Sequence, residues 1–304
     1  DLGLLLLALV WGVNFPLLKA ILTELGPLAL NALRFPLAAF VLAVALRSRR
    51  RRPTLERRDV PRILALAAVG HVAYQLAFIH GIDGTRAGNA SLILATTPVW
   101  ALVLSVARGH EEVGLLLRVG VGATLVGMVL VVLGRGEAVG VGADTLRGDL
   151  LMVAAALLWA VYTVGGRRPV GRYGSLRVTA WTLWAGTPGI VVAGVPQLRA
   201  TDWGAVPAWV WAGTAFSGVF AVALAYLIWY RSVRTIGTAR TAVASNGVPV
   251  VALVTAWVWL GETPTALQVA GAVVILAGLA VTRRGRRGQD PGSSSLRWRT
   301  SGNS

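Results

Sequence analysis

The sequence predicts an all-α membrane protein of ten transmembrane helices, built as two inverted five-helix repeats with both termini on the cytoplasmic side. Three observations carry this: the composition, ten apolar runs of bilayer length, and an internal similarity between the two halves. Of 304 residues, 55% are hydrophobic and 14% charged, whereas soluble domains carry about 25% charged residues. Ten spans of roughly 20 apolar residues fit this length and leave about a hundred for loops and a tail.

The first run, 2–22, begins at Asp1 with no basic flank and no small-residue cleavage site, so it reads as a span rather than a signal peptide. The runs 28–47, 62–82, 87–107 and 114–134 follow, set apart by charged or Gly/Pro-containing breaks. The second set is 148–166, 175–196, 208–230, 238–260 and 265–283, with Gly165-Gly166 and Tyr230-Arg231 read as ends of its first and third members. Residues 284–304 are rich in Arg, Ser and Gly without an apolar period, which predicts a disordered cytoplasmic tail.

The net charge of +16 comes from 29 Lys+Arg against 13 Asp+Glu. With the N-terminus inside, the inner loops and tail hold 22 of the cations: eight from Arg47 to Arg62, Arg108, four from Arg167 to Arg177, three from Arg231 to Arg240, and six from Arg283 to Arg299. The outer loops hold only four, Arg86, Arg135, Arg147 and Arg199. This asymmetry fixes the orientation as N-in and C-in and adds attraction to anionic headgroups of the membrane lipids. It also accounts for the basic run Arg47–Arg52 without a nucleic-acid partner. There is no Cys, which excludes disulfides and thiolate metal sites.

At an offset of 151, residues 98–127 align with 249–278 without a gap, and ten of the thirty positions are identical, among them Pro98/Pro249, Glu111/Glu262, Gly120/Gly271 and Gly127/Gly278. Ala73-Tyr74 matches Ala225-Tyr226, and Trp11 matches Trp159. The repeat units are therefore residues 1–134 and 148–283. Five spans is an odd number, so the second unit crosses the membrane in the opposite sense. Inverted repeats are the architecture of many secondary transporters.

Polar groups inside a bilayer are costly and face a cavity or another helix. His71, Tyr74, Gln75 and Phe78 fall at i, i+3, i+4 and i+7 of the third run, one face of a helix. Asn14, Ser245 and Asn246 lie at similar depth. These residues are expected to converge on a midplane substrate cavity; the alternative is interhelical hydrogen bonding, worth about 1 kcal/mol per contact. Lys19 and Arg34 have no acidic neighbour within their spans, with Glu24 and Asp83 in outer loops as the nearest pairing partners. Left unpaired, both would attract a carboxylate or phosphate on the substrate, although Lys19 can also snorkel to the interface.

All acids fall in loops or at span ends, so no buried carboxylate is expected to carry a coupling proton. His71 is the remaining candidate for that role, against a purely hydrogen-bonded histidine or a carrier with no proton. Pro98 and Pro249 sit near mid-span and tend to kink their helices, either as hinges or as static bends. Gly120/Gly127 and Gly271/Gly278 offer small faces for close packing. Glu111 and Glu262 precede the last helix of each unit, where each reads as a favourable charge at the start of that helix rather than a substrate contact, and Thr263-Pro264 reads as an N-cap with Pro at the first helical position. Trp159, Trp181 and Trp184 lie within spans, as an aromatic wall or as plain packing.

Trp11-Gly12 with Asn14 and Lys19, the segment Pro27 to Arg34, Pro98, and the repeat ends Glu111 to Gly127 and Gly261-Glu262 to Gly278 together resemble the drug/metabolite transporters of the EamA type. The resemblance covers about residues 2–283. It implies a ten-helix plasma-membrane carrier that exports small metabolites, amino acids or drugs through a central cavity lined mainly by helices one to four and six to nine, with no cofactor. An intramembrane enzyme lacks a visible constellation: the histidines are His71, His80 and His110, with no carboxylate pair inside a span, so neither Ser-His nor metal-assisted hydrolysis is laid out. A flippase for lipid headgroups or lipid-linked substrates remains the alternative of the same architecture.

Overall fold

The computed structural model describes residues 2–47, 54–107, 114–134, 143–229 and 247–287, and among these the regular structure is helical without any strand. The first half contains α1 (Leu2–Ile21), α2 (Pro27–Arg47), α3 (Arg57–Gly84), α4 (Ala87–Leu94), α5 (Thr97–Ala107) and α6 (Leu115–Leu133). The second contains α7 (Ala143–Tyr173), α8 (Ser175–Ala200), α9 (Ala208–Trp229), α10 (Gly247–Leu260) and α11 (Ala266–Arg287). Six of these, α1, α2, α3, α7, α8 and α9, are long and apolar enough to cross a membrane, and α6, α10 and α11 contain shorter apolar helices.

The distribution of side chains is that of a protein in lipid. Large apolar residues such as Leu5, Val126, Val192, Val258 and Val273 are exposed, while Arg34, His71, Gln75, Asn89 and Gln268 are buried. Apolar surface of this kind has no place in a soluble monomer, and polar groups turn inward because hydrocarbon cannot satisfy them.

Helices pair across the two halves. α6 lies along α11 and α2 along α8; α1 packs on α10 as α7 does on α4 and α5; α2 meets α9 as α3 meets α8. The α6–α11 contact rests on the glycines singled out above. A Cβ on Gly127 would come within 2.7 Å of the Ile275 backbone nitrogen and 2.8 Å of the Gly271 carbonyl oxygen, and one on Gly278 within 2.8 Å of the Gly120 carbonyl oxygen. Gly127 therefore meets Gly271 and Gly120 meets Gly278, so the two helices run antiparallel at backbone contact distance, a separation that small residues permit.

Four local features differ from the sequence expectation. α7 runs from Ala143 to Tyr173 rather than over 148–166, because Gly165-Gly166 does not stop it. The terminator is Gly174 at φ 82, a positive φ that glycine adopts at little steric cost, and its N–H reaches the Val170 carbonyl at 2.9 Å. The fourth run is interrupted before Pro98, with α4 ending at Leu94 and α5 starting at Thr97; the Thr97 hydroxyl donates to the Leu94 carbonyl at 2.7 Å, replacing the donor that proline lacks. α3 and α9 each contain a π-helical segment, Ala68–Ala73 and Ser217–Leu224. Finally, α11 starts at Ala266, not after Thr263. Thr265 and Gln268 form a reciprocal capping box, Gln268 N–H to Thr265 Oγ1 at 3.2 Å and Thr265 N–H to Gln268 Oε1 at 2.8 Å. α11 continues to Arg287, so the expected tail loses its first residues to helix; 288–304 lie outside the described residues.

Candidate functional site

Five helices, α1, α2, α7, α8 and α9, bring polar and aromatic side chains to one buried cluster around α3. From α2, Arg34 donates through Nε to Asn31 Oδ1 at 2.8 Å, through NH1 to Ser217 Oγ at 3.0 Å and through NH2 to Gln75 Oε1 at 2.6 Å. Its guanidinium carbon stands 5.6 Å from the Phe35 ring centroid and 5.9 Å from that of Phe78, a cation–π arrangement. Gln75 is held once more, where its backbone carbonyl accepts from Asn31 Nδ2 at 3.3 Å. None of Arg34, His71, Tyr74, Gln75 and Phe78 exposes more than 6% of its surface, so the cluster is enclosed in protein.

His71 lies in the π segment of α3 and faces α7 and α8. Its Nε2 is 3.0 Å from Thr182 Oγ1, which is also 3.0 Å from the Tyr162 hydroxyl. With Thr182 donating to the Val178 carbonyl at 2.9 Å, its oxygen accepts from Tyr162 and from an Nε2–H tautomer of His71. Nδ1 then remains an acceptor, and among the described residues no donor reaches it.

The rings form a crossed arrangement. Tyr74 of the first half packs on Trp159 of the second at 4.9 Å, and Trp11 of the first packs edge-on against Tyr226 of the second at 6.2 Å. Trp159 also touches Tyr162 and Tyr226, at 5.2 and 5.3 Å. Trp11 Nε1 donates to the Ala221 carbonyl in the π segment of α9 at 2.9 Å, a partner for backbone that has left the regular ladder.

Of the residues singled out from the sequence, the structure thus joins Arg34, His71, Tyr74 and Gln75. Lys19 is turned elsewhere: its Nζ donates to the Ile82 and Asp83 carbonyls, at 3.1 and 2.6 Å, a cation on the C-terminal end of α3 as the helix dipole favours. Asn14 is buried in α1 and its Oδ1 has no partner among the described residues. Ser245, Asn246 and Glu111 lie outside the described residues, and Pro249 is buried in the first turn of α10. Trp181 packs against Tyr173, while Trp184 is 37% exposed and donates to the Ala39 carbonyl; neither reaches the cluster.

Two acidic residues correct the expectation. Asp149 sits at a span end in sequence, yet it is 1% exposed, and its Oδ1 accepts from the Thr85 hydroxyl at 2.5 Å. A buried carboxylate is therefore present after all. Glu262 does not serve α11. Its two oxygens accept the Ala87 and Gly88 N–H groups, at 3.1 and 3.3 Å, at the start of α4 in the opposite half. At the same end of the bundle, Gln197 Oε1 of α8 accepts the Leu28 and Ala29 N–H groups, at 2.7 and 3.1 Å, at the start of α2. Two helix N-termini of the first half are thus capped by side chains of the second.

Comparison with known proteins gives this architecture its context. Residues 1–133 and 146–284 each match the EamA-like transporter family. The chain belongs to the EamA-like transporter family. This EamA-like transporter is 30% identical to a probable terminal-alkyne amino-acid exporter of Streptantibioticus cattleyicolor over 94% of both chains. It is 28% identical to a probable amino-acid metabolite efflux pump of Salmonella typhimurium, over 93% of this chain and 94% of that one. A solved crystal structure shares its fold with a TM-score of 0.65 at 20% identity, covering 94% of this chain and 97% of the other. Membership and the apolar helices make it a multi-pass membrane protein, and family and relatives alike point to a transporter rather than an enzyme.

Sequence reasoning missed Asn31, Thr182 and Ser217 as members of the cluster in this EamA-like transporter. Their signal was present: each is a polar residue in an otherwise apolar run. In the sequence Tyr226 stands out only as a repeat match, and Trp159 reads as an aromatic wall or as plain packing.

Proposed function

We propose that this protein is a secondary active exporter of small metabolites, amino acids or related compounds, working by alternating access across the plasma membrane with both termini in the cytoplasm. One observation carries the reading: repeat-equivalent residues pair crosswise at the buried cluster, Tyr74 with Trp159 and Tyr226 with Trp11. Exchange of conformations between two inverted five-helix units, 1–134 and 148–283, maps each of these pairs onto the other. The reciprocal contacts of α6 with α11 and the matching of each half to the same family support it. Arg34, His71, Tyr74 and Gln75, with Asn14, Ser245 and Asn246, form the substrate site; Pro98 and Pro249 are the hinges. The names of the two amino-acid exporting relatives support the substrate class.

Uptake of a metabolite panel into inverted vesicles tests the carrier directly. Movement of a solute is the expected result; lipid scrambling with no solute moved would overturn it in favour of a flippase. Orientation is tested in the same membranes, because a chain without Cys accepts single reporters. Arg199→Cys should react with an impermeant maleimide added outside intact cells, and Arg58→Cys only after permeabilisation; the reverse pattern overturns the N-in assignment.

The test of a coupling proton falls on His71, whose Nδ1 meets no donor among the described residues. In His71→Ala, dependence of transport on a pH gradient should disappear, and unchanged dependence removes the histidine from coupling.

A further inference from the structure

Arg34 is 1% exposed, and its guanidinium is bonded to three neutral oxygens. The salt bridges found among the described residues lie elsewhere, at Glu56, Asp59, Arg58 and Arg172. A cation taken out of water carries a large penalty that neutral acceptors offset only in part, and a guanidinium fork matches a carboxylate through two parallel bonds. The oxygens on the NH1 and NH2 end of that fork belong to Ser217 and Gln75, which come from different halves. Both stand at π-helical segments: Ser217 opens the one in α9, and Gln75 follows the one in α3 by two residues. Segments of this kind are frequent at functional sites.

We infer that Gln75 and Ser217 occupy the place of a substrate carboxylate. A solute anion takes NH1 and NH2 of Arg34 in their stead, and the release of both side chains frees the π segments of α3 and α9 to shift. The inference rests on the carrier reading above and narrows its substrate to carboxylic acids with apolar or aromatic substituents, since Phe35 and Phe78 flank the cation. A carboxylate fits better than a phosphate dianion, because Lys19, the cation singled out beside Arg34 in the first two spans, is committed to backbone carbonyls.

The test uses the purified full chain, with thermal unfolding followed by tryptophan fluorescence, and vesicle transport alongside. The probes are aliphatic and aromatic amino acids, their matched amides, and inorganic phosphate. Acids should raise the melting temperature and be transported, whereas amides and phosphate should do neither. Gln75→Glu supplies a carboxylate from the protein itself. It should fold, melt no lower than wild type, and bind and move acids at least about tenfold less well, the loss expected for one charged hydrogen-bonded anchor; Gln75→Ala should keep the preference for acids. Equal shifts with acids and amides, a shift with phosphate as large as with acids, no shift with any acid, or acid binding by Gln75→Glu at wild-type strength would each overturn the assignment. The two readings fail separately. Acid-selective melting shifts in a protein that moves no solute would sink the carrier and keep the anion site, and transport blind to the carboxylate would do the converse.

Discussion

Gly127→Leu is expected to yield little or no folded protein, while Gly122→Leu five residues earlier on the same helix yields normal amounts. The difference is steric. A Cβ at Gly127 would lie 2.7 Å from a backbone nitrogen of α11 and 2.8 Å from a backbone oxygen, whereas one at Gly122 meets nothing within 4 Å. Backbone cannot swing aside as a side chain can, so α6 and α11 would have to separate along their length. Overpacking ordinarily costs about 1–3 kcal/mol, and here the loss of the close helix contact adds to it. Extraction yield, the monodisperse fraction on size exclusion and the melting temperature report the outcome. Equal behaviour of the two variants would mean that the α6–α11 crossing is not the rigid contact described.

Arg34→Met should have the opposite profile, with transport lost and folded protein retained. Methionine has a similar reach without the charge, so it relieves the cost of burying an unpaired cation but leaves behind acceptors that the guanidinium had satisfied. No carboxylate among the described residues is left unpaired by the change; the orphaned acceptors are Asn31, Gln75 and Ser217. Relief of the buried charge offsets part of the about 1–3 kcal/mol that each orphaned acceptor costs, so the variant should fold with a modest loss of stability. Transport should fall by about 100-fold or more if two charged hydrogen bonds to the substrate, at roughly 1.5–3 kcal/mol each, are removed. Retained transport would exclude Arg34 from the site, and a large loss of stability would make it a structural group.

How much of this was legible in the sequence follows the range of each cause. Apolar runs located the helices because lipid burial acts on each helix separately, and the i, i+3, i+4 spacing put His71, Tyr74 and Gln75 on the face that the structure buries. Gly127 and Gly271 were readable as packing positions because small residues have few other reasons to recur in register. The π segments were not readable: Ala-Val-Gly-His-Val-Ala has no local mark that separates it from α-helix, and its register depends on packing against neighbouring helices. Partners far along the chain were invisible for a similar reason. Lys19 answers to carbonyls 63 and 64 positions away, and Glu262 to amides 174 and 175 positions away. Asp149 was misread because a charge at the end of an apolar run looks solvated until the Thr85 hydroxyl closes over it.

The caps that Glu262 and Gln197 place on α4 and α2 have a consequence for the solvent. Four backbone N–H groups, at Leu28, Ala29, Ala87 and Gly88, find their acceptors only while the two halves touch at that end. Parting them strands these groups together with a carboxylate and an amide, and water must enter to take each place. In the proposed alternating-access cycle, closing this end is therefore a drying step and opening it a wetting one, so osmotic stress from a solute too large to enter should hold it shut.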